Sequence, residues 1–285
     1  WIDSHGRPLR DVRISITDRC NFRCRYCMPK EKFEKDHCFL SHTEVLSFEE
    51  IIRLGKIFAA NGIEKIRLTG GEPLLRKGIE FLIEELSKLK TWNGKPLDVA
   101  VTTNGAALSA KAKSLAAAGL KRLTVSLDAM DPQIYKDLND VNFPIEKTLA
   151  GIQAAKDAGI PSIKINVVVK RGVNEKELIK IAEHFKGTGI IVRYIEFMDV
   201  GTSNGWRLDD VIPSRQIVEE INRVYPIEPL DPNYTGEVAT RWGYKDGSGE
   251  LGFISSVSEP FCKECSRIRL SVDGKLYKCL FATEG

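Results

Sequence analysis

The chain has 285 residues, 42% hydrophobic and 28% charged, with a formal net charge of +3. That length holds one or two globular domains with a substantial core, and so small a charge gives no electrostatic ground for a nucleic-acid partner. No apolar run is long enough for a membrane span and no charge-then-apolar signal segment opens the chain, so a soluble intracellular protein is expected; the start at Trp1 leaves room for a removed presequence.

In chain order, short β-branched runs predict strands over 12–17, 65–69, 98–103, 122–127, 162–169 and 190–197. Amphipathic stretches between them predict helices over 47–61, 77–90, 109–118, 144–158 and 174–185, with Ser47, Ser109 and Asn174 as caps and Gly62, Gly119 and Gly159 behind. Six strands joined by helices make a parallel sheet with right-handed crossovers. The fold class is therefore α/β, an incomplete (β/α)6 TIM-like barrel. After about Gly201 the pattern changes to one helix over 214–224 and short strands with turn signals at 246–249 and 273–274. This tail reads as a small α+β C-terminal cap, with a boundary at 200–212, drawn between residues 205 and 206.

Cysteines punctuate both ends. Cys20, Cys24 and Cys27 are spaced C-x3-C-x2-C directly after the first strand, and Cys262, Cys265 and Cys279 form a second set of three near the end. Structural zinc takes four closed ligands, whereas a 4Fe-4S cube held by three thiolates keeps one iron open. The rival is a four-thiolate zinc site pairing Cys24 and Cys27 with Cys262 and Cys265, which leaves Cys20 and Cys279 idle. Cys38 fits neither set and reads as an ordinary thiol. Disulfides are disfavoured in a chain that can bury its own core, and His5, His37, His42 and His184 have no ligand-like spacing.

Strands of a parallel barrel should be near-continuous apolar runs, yet here basic residues alternate with apolar ones. Lys65, Arg67 and Thr69 flank Ile66 and Leu68; Lys164 and Asn166 flank Ile165; Arg267 and Arg269 flank Ile268; Arg13 and Arg193 add two more cations. Period-two alternation puts each set on one face. Buried Lys and Arg need partners, and Glu196 is the main strand carboxylate, so a polyanionic ligand in the barrel mouth is expected, its phosphates matched by Arg forks. Thr69-Gly70-Gly71-Glu72-Pro73 closes the second strand, its glycines expected to let backbone approach a ligand and Glu72 to accept from an ammonium group. Thr102, Asn104, Ser126 and Asp128 close the next two strands. Carboxyl ends of barrel strands are where such folds keep active sites.

The stretches 13–24, 65–73, 101–105, 193–198 and 261–269 resemble the radical S-adenosylmethionine enzymes, and closely the GTP-cyclising branch that serves molybdenum cofactor biosynthesis. The resemblance implies two 4Fe-4S clusters and S-adenosylmethionine as cofactors. Cys20, Cys24 and Cys27 would hold the first cluster, whose open iron chelates S-adenosylmethionine, with Tyr26, Gly71, Glu72, Ser126 and Met198 around that cosubstrate. Cys262, Cys265 and Cys279 would hold the second, facing the guanine. Arg13, Arg67, Thr102, Lys164, Arg267 and Arg269 would bind GTP, and Lys65 and Arg193 fit the same pocket by position and charge. The implied reaction makes a 5′-deoxyadenosyl radical, takes hydrogen from the ribose 3′ carbon and closes that carbon on guanine C8, giving 3′,8-cyclo-7,8-dihydro-GTP for a cyclic pyranopterin monophosphate synthase. A low-potential electron donor, a homodimer and a cytoplasmic location (organellar in a eukaryote) are further expectations, with no nucleic acid and no membrane. Family chains continue to a Gly-Gly end, whereas this sequence stops at Gly285, so either a fragment or a trimmed chain is expected, one that binds its ligands without necessarily completing catalysis.

Two other readings compete. A peptide-modifying radical enzyme with an auxiliary cluster would not need the strand cations. A zinc-bound nucleic-acid-binding protein would use the cations on phosphates and carry no iron chromophore.

Overall fold

The computed structural model describes residues 1–33, 37–200, 205–282 and 284–285. Residues 201–204, where the sequence pattern changes, lie outside the described residues.

Six parallel strands follow one another across the sheet: β1 (Asp11–Ser15), β2 (Lys65–Thr69), β3 (Asp98–Thr103), β4 (Arg122–Ser126), β5 (Ser162–Val169) and β6 (Ile191–Glu196). Their crossovers carry α1 (Phe48–Ala60), α2 (Ile79–Ser87), α3 (Leu108–Ala117), α4 (Pro132–Asn139), α5 (Ile145–Asp157) and α6 (Leu178–Phe185). The helix-facing side chains, among them Ile14, Leu68, Val101, Leu123, Ile165 and Val192, are buried in one continuous apolar core. Ser47 caps α1 in a reciprocal capping box with Glu50. The other two expected caps differ. Ala107 stands at the start of α3 in place of Ser109. Asn174 spends its side chain on Lys170, Asp128 and Val168, while the first turn before α6 is a 3-10 helix, Glu175–Glu177. Helix α4 was not expected from the sequence.

The tail does not form a sheet of its own. After α7 (Ser214–Val224), β7 (Ile227–Leu230), β8 (Thr240–Tyr244) and β9 (Glu250–Ile254) form an antiparallel meander whose β9 pairs parallel to β6. The chain then crosses to the opposite edge, where β10 (Arg267–Leu270) pairs parallel to β1 and β11 (Leu276–Tyr277) turns back on it. The result is one eleven-stranded sheet, ordered β11-β10-β1-β2-β3-β4-β5-β6-β9-β8-β7.

The sheet curls until its edges meet. The Tyr234 ring, on the β7–β8 loop, lies 5.2 Å from the Lys65 ammonium on β2, six strand spacings away along the sheet. The same loop abuts the segment leading into β10, since a Cβ on Gly236 would lie 2.7 Å from the Glu264 carbonyl oxygen. No helix among the described residues is long and apolar enough to cross a membrane.

Candidate active site: a basic lumen between two cysteine triads

The inner face of the curled sheet carries the alternating basic residues. Arg13, Lys65, Arg67, Lys164, Arg193, Arg267 and Arg269 all occupy its half-buried positions. The strand register aligns Arg269, Arg13 and Arg67 in one row across β10, β1 and β2. Arg67 donates to Thr102 Oγ1 (3.0 Å) and Thr124 Oγ1 (3.1 Å), and Arg193 reaches the same Thr124 oxygen (3.2 Å). Gly252 on β9 makes room for Arg193, because a Cβ there would meet the arginine stem at 3.0 Å.

Burial and mutual repulsion mark these cations as waiting for an anion. Burial, then Arg269, Arg67 and Arg267, push the Arg13 guanidinium down to about 9. Burial, then Arg67, do the same to Arg193, and burial, then Arg193, bring the Lys164 ammonium down to about 8. The Nε atoms of Arg13 and Arg193 are buried with no hydrogen-bond partner among the described residues. Such groups are costly unless something pairs with them.

The carboxylates in the sheet are not those expected. Glu196 is fully buried, accepting from Ser214 N, Ser258 Oγ, Val257 N and Ser258 N. It ties the end of β6 to the tail and neutralises none of the lumen cations. Asp98, at the start of β3, takes that part at one end, 2.7 Å from Arg122 and 3.7 Å from Lys65.

At the carboxyl end of β1, the first triad sits on a loop docked to the end of α4: Arg23 N donates to the Asn139 carbonyl (3.0 Å) and Arg25 N to that of Leu138 (3.2 Å). Phe22, 2% exposed, anchors it against Tyr135 and Phe143. Burial raises the Cys20 thiol; burial, then Cys27, raises Cys24 well above its ordinary value; burial, then Cys20, pushes Cys27 up to about 11. Thiols that oppose one another's ionisation become thiolates when a cation is bound among them.

The Gly70–Gly71 turn packs tightly against the cysteine loop. A Cβ on Gly70 would lie 2.2 Å from Thr17 O, and one on Gly71 2.2 Å from Arg19 O. The close approach is to the cysteine loop's own backbone, sealed by Gly71 N to Thr17 O and Glu72 N to Arg19 O, both 2.8 Å. Glu72 is likewise committed to the protein. Its carboxylate, 1% exposed, accepts from Thr103 Oγ1 (2.7 Å), Leu74 N (3.0 Å) and Asn104 N (2.7 Å). This network fixes the strand ends that frame the triad and leaves Glu72 a positioning residue. Tyr26 donates to Asp128 Oδ2 (2.6 Å), whose Oδ1 accepts from Val168 N (2.8 Å); burial raises the Asp128 carboxyl to about 6. Ser126, last residue of β4, and Met198, just past β6, are half-buried at the same mouth.

The second triad lies at the other end. Cys265 stands two residues before Arg267, the first residue of β10, which pairs with Asp11 at the start of β1, and Arg267 Nη2 lies 3.5 Å from Cys265 Sγ. Burial opposes ionisation of Cys265, but Arg267 outweighs it and holds the thiol below its ordinary value. Cys262 lies alongside, its carbonyl accepting from Arg7 Nη1. Strand β11 runs antiparallel to β10 with Tyr277 opposite Arg269, so Cys279 returns toward Arg267. Five residues of β1 separate this end from the first triad, a rise of roughly 15 Å at about 3.3 Å per residue. The four-thiolate zinc site pairing Cys24 and Cys27 with Cys262 and Cys265 is therefore excluded by topology. Among the described residues no three His, Cys, Asp or Glu side chains are placed to hold one metal ion. A cube differs from one ion in that each thiolate binds its own iron, and three-thiol sets at each end suit that donor pattern.

A cavity of about 1080 Å³ opens between α7 and the β7–β8–β9 meander, lined in part by Val218, Tyr234, Glu237, Trp242 and Phe253. None of the expected site residues lines it.

Residues 14–185 match the Radical SAM superfamily and residues 190–285 the Molybdenum Cofactor Synthesis C family. The chain is 50% identical over 283 residues to the GTP 3′,8-cyclase of Acidothermus cellulolyticus, covering 99% of this chain and 77% of that protein. It is 46% identical over 281 residues to the GTP 3′,8-cyclase of Staphylococcus epidermidis, covering 99% of this chain and 81% of that one. Among solved structures, Streptococcus suis SuiB bound to S-adenosylmethionine superposes with a TM-score of 0.70 at 15% identity, covering 96% of this chain and 60% of that one. That likeness concerns the fold alone.

Proposed function

Because the chain belongs to the radical SAM superfamily and, within it, to the GTP 3′,8-cyclases of molybdenum cofactor biosynthesis, we propose that its lumen holds GTP by the triphosphate between two cysteine triads. The observation that carries this reading is Arg13, half-buried between Arg67 and Arg269 with its buried Nε unpaired.

Residues 1–205 form the radical SAM partial barrel and residues 206–285 bring in the second triad. Cys20, Cys24 and Cys27 would hold a 4Fe-4S cluster, and Cys262, Cys265 and Cys279 a second one. The first, with S-adenosylmethionine, would supply the one-electron cleavage that starts radical chemistry. The chain's own residues place and shield the reactants. Tyr26, Gly71, Ser126 and Met198 line the cosubstrate's mouth, and the Glu72 network keeps that mouth in register. Arg13, Arg67, Arg267 and Arg269 hold phosphate oxygens by charge-assisted hydrogen bonds, with Lys65, Lys164, Arg193 and Thr102 completing the cradle. Fixing both ends of the nucleotide brings the ribose 3′ carbon to the cosubstrate and guanine C8 to the ribose, which is how positioning lowers such a barrier. The product is 3′,8-cyclo-7,8-dihydro-GTP. A low-potential electron donor, transfer to a cyclic pyranopterin monophosphate synthase, a homodimer and a cytoplasmic site of action complete the reading on family grounds.

Two variants test the cradle. Arg67→Ala and Lys164→Ala are each expected to weaken GTP binding by about 1.5–3 kcal/mol at pH 7, the range for hydrogen bonds to charged groups, with iron content unchanged. The lowered Lys164 value adds a pH signature. Below about 8 the ammonium is charged with or without GTP. As pH rises through 8 the free protein loses a proton that the triphosphate-bound form keeps, so parent affinity falls by up to roughly tenfold per pH unit. Lys164→Ala should abolish that slope. Anaerobic calorimetry showing parent affinity in both variants would remove the phosphate assignment and favour the peptide-modifying alternative.

A further inference from the structure

We propose that the Asn139 side chain donates an N–H···S hydrogen bond to the Cys24 thiolate and so helps set the reduction potential of the first cluster. This rests on the reading that Cys20, Cys24 and Cys27 hold a cluster. Asn139, at the end of α4, is 6% exposed, and its amide Oδ1 lies 3.3 Å from Cys24 Sγ. Its Nδ2 is buried and meets no partner of good geometry among the described residues; it faces the Tyr135 hydroxyl, whose ionised form it favours weakly. This arrangement suits a protonated thiol, whose S–H donates to the amide oxygen.

Iron binding removes that proton, because the ligand is the thiolate. An amide oxygen would then face an anionic sulfur while a buried N–H pair stayed unmet. Turning the amide by 180° exchanges O and N at nearly the same positions and resolves both faults. Nδ2–H then points at the sulfur and Oδ1 faces the Tyr135 hydroxyl, which can donate while Thr148 Oγ1, 2.9 Å away, donates to it in turn. The placement is fixed by backbone, since the Asn139 carbonyl accepts from Arg23 N one residue before Cys24. The Arg23 guanidinium is occupied with the carbonyls of Cys20, Phe22 and Phe33. A second amide repeats the motif more weakly, with Asn104 Nδ2 3.9 Å from Cys20 Sγ. Donors to cluster sulfurs stabilise the more negative, reduced state, and such hydrogen bonds are among the levers that set cluster potentials.

The test uses the near-isosteric Asn139→Leu and the smaller Asn139→Ala in a Cys265→Ala background, which leaves one complete triad. After anaerobic reconstitution, iron and sulfide are counted and the cluster is titrated by electron paramagnetic resonance against applied potential. If the background protein takes up no iron, the cluster reading itself fails. With iron loaded, the expected result is that, at the potential where the background protein is half reduced, the reduced-to-oxidised ratio falls by threefold or more in the variants, on the order of tenfold, equivalent to about 59 mV for one electron. A smaller change, or a rise, overturns the proposal. Failure of both variants to load iron overturns it too, since Asn139 would then be a brace for the cysteine loop.

Discussion

Replacing Cys24 with alanine is expected to cut reconstituted iron from about eight to about four atoms per chain, as the loss of one of two cubes requires, and to abolish cleavage of S-adenosylmethionine. Cys24 is the central thiol of a loop pinned on two sides, by the end of α4 and by the Gly70–Gly71 turn. The residue is half-buried, and the two remaining thiols leave a second iron uncapped. The second triad, a strand length away beyond β1, should keep its own iron. Zinc in stoichiometric amount with no iron uptake by the parent protein would sink this account.

Cys265→Ala is expected to separate two activities that the parent couples. Cys265 lies across the basic lumen from the first triad, 3.5 Å from an Arg267 nitrogen, at the entry to the strand that pairs Arg269 with Arg13. The hydrogen bonds of the Tyr26–Asp128 pair and of Glu72 run to Val168, Leu74, Thr103 and Asn104, at the opposite end of the strands. The variant should therefore still form 5′-deoxyadenosine, while cyclised nucleotide falls at least a hundredfold, the order of loss that about 1 Å of misplacement causes. Chromatography of both products from one reaction measures the ratio. Cyclised product at the parent rate would make the second triad structural.

Much of this architecture was legible in the sequence because its signals are local. Strands β2, β3 and β5 match their predicted bounds, since alternation or a β-branched run fixes a strand from its own residues. Helix α4 escaped because it is eight residues long and mostly polar, although Asp131 followed by Pro132 is a start signal that its side chain fulfils by accepting from Gln133 N and Ile134 N. Nonlocal features were not readable. Nothing in residues 250–254 or 267–270 announces that they pair parallel to β6 and β1, on opposite edges, and a cap was expected where the sheet continues. The basic face was read correctly as a face, but Glu196 was taken as the main strand carboxylate, and its burial against the tail cannot be seen from residue type alone. Asp98, at a strand start, was the one to weigh. Close approach is legible in Gly-Gly, whereas the packing of both glycines on the cysteine loop's own backbone is a nonlocal feature that the sequence does not announce.

The measurement that bears most directly on the lumen as a GTP site is isotope transfer from substrate to cosubstrate. Reconstituted protein is given S-adenosylmethionine, a reductant and GTP deuterated at the ribose 3′ carbon, and the 5′-deoxyadenosine formed is weighed by mass spectrometry. A nucleotide held with its triphosphate on Arg13, Arg67 and Arg269 and its ribose toward the first triad predicts deuterium in the 5′-deoxyadenosine. Unlabelled 5′-deoxyadenosine formed at the same rate with or without GTP would contradict the account.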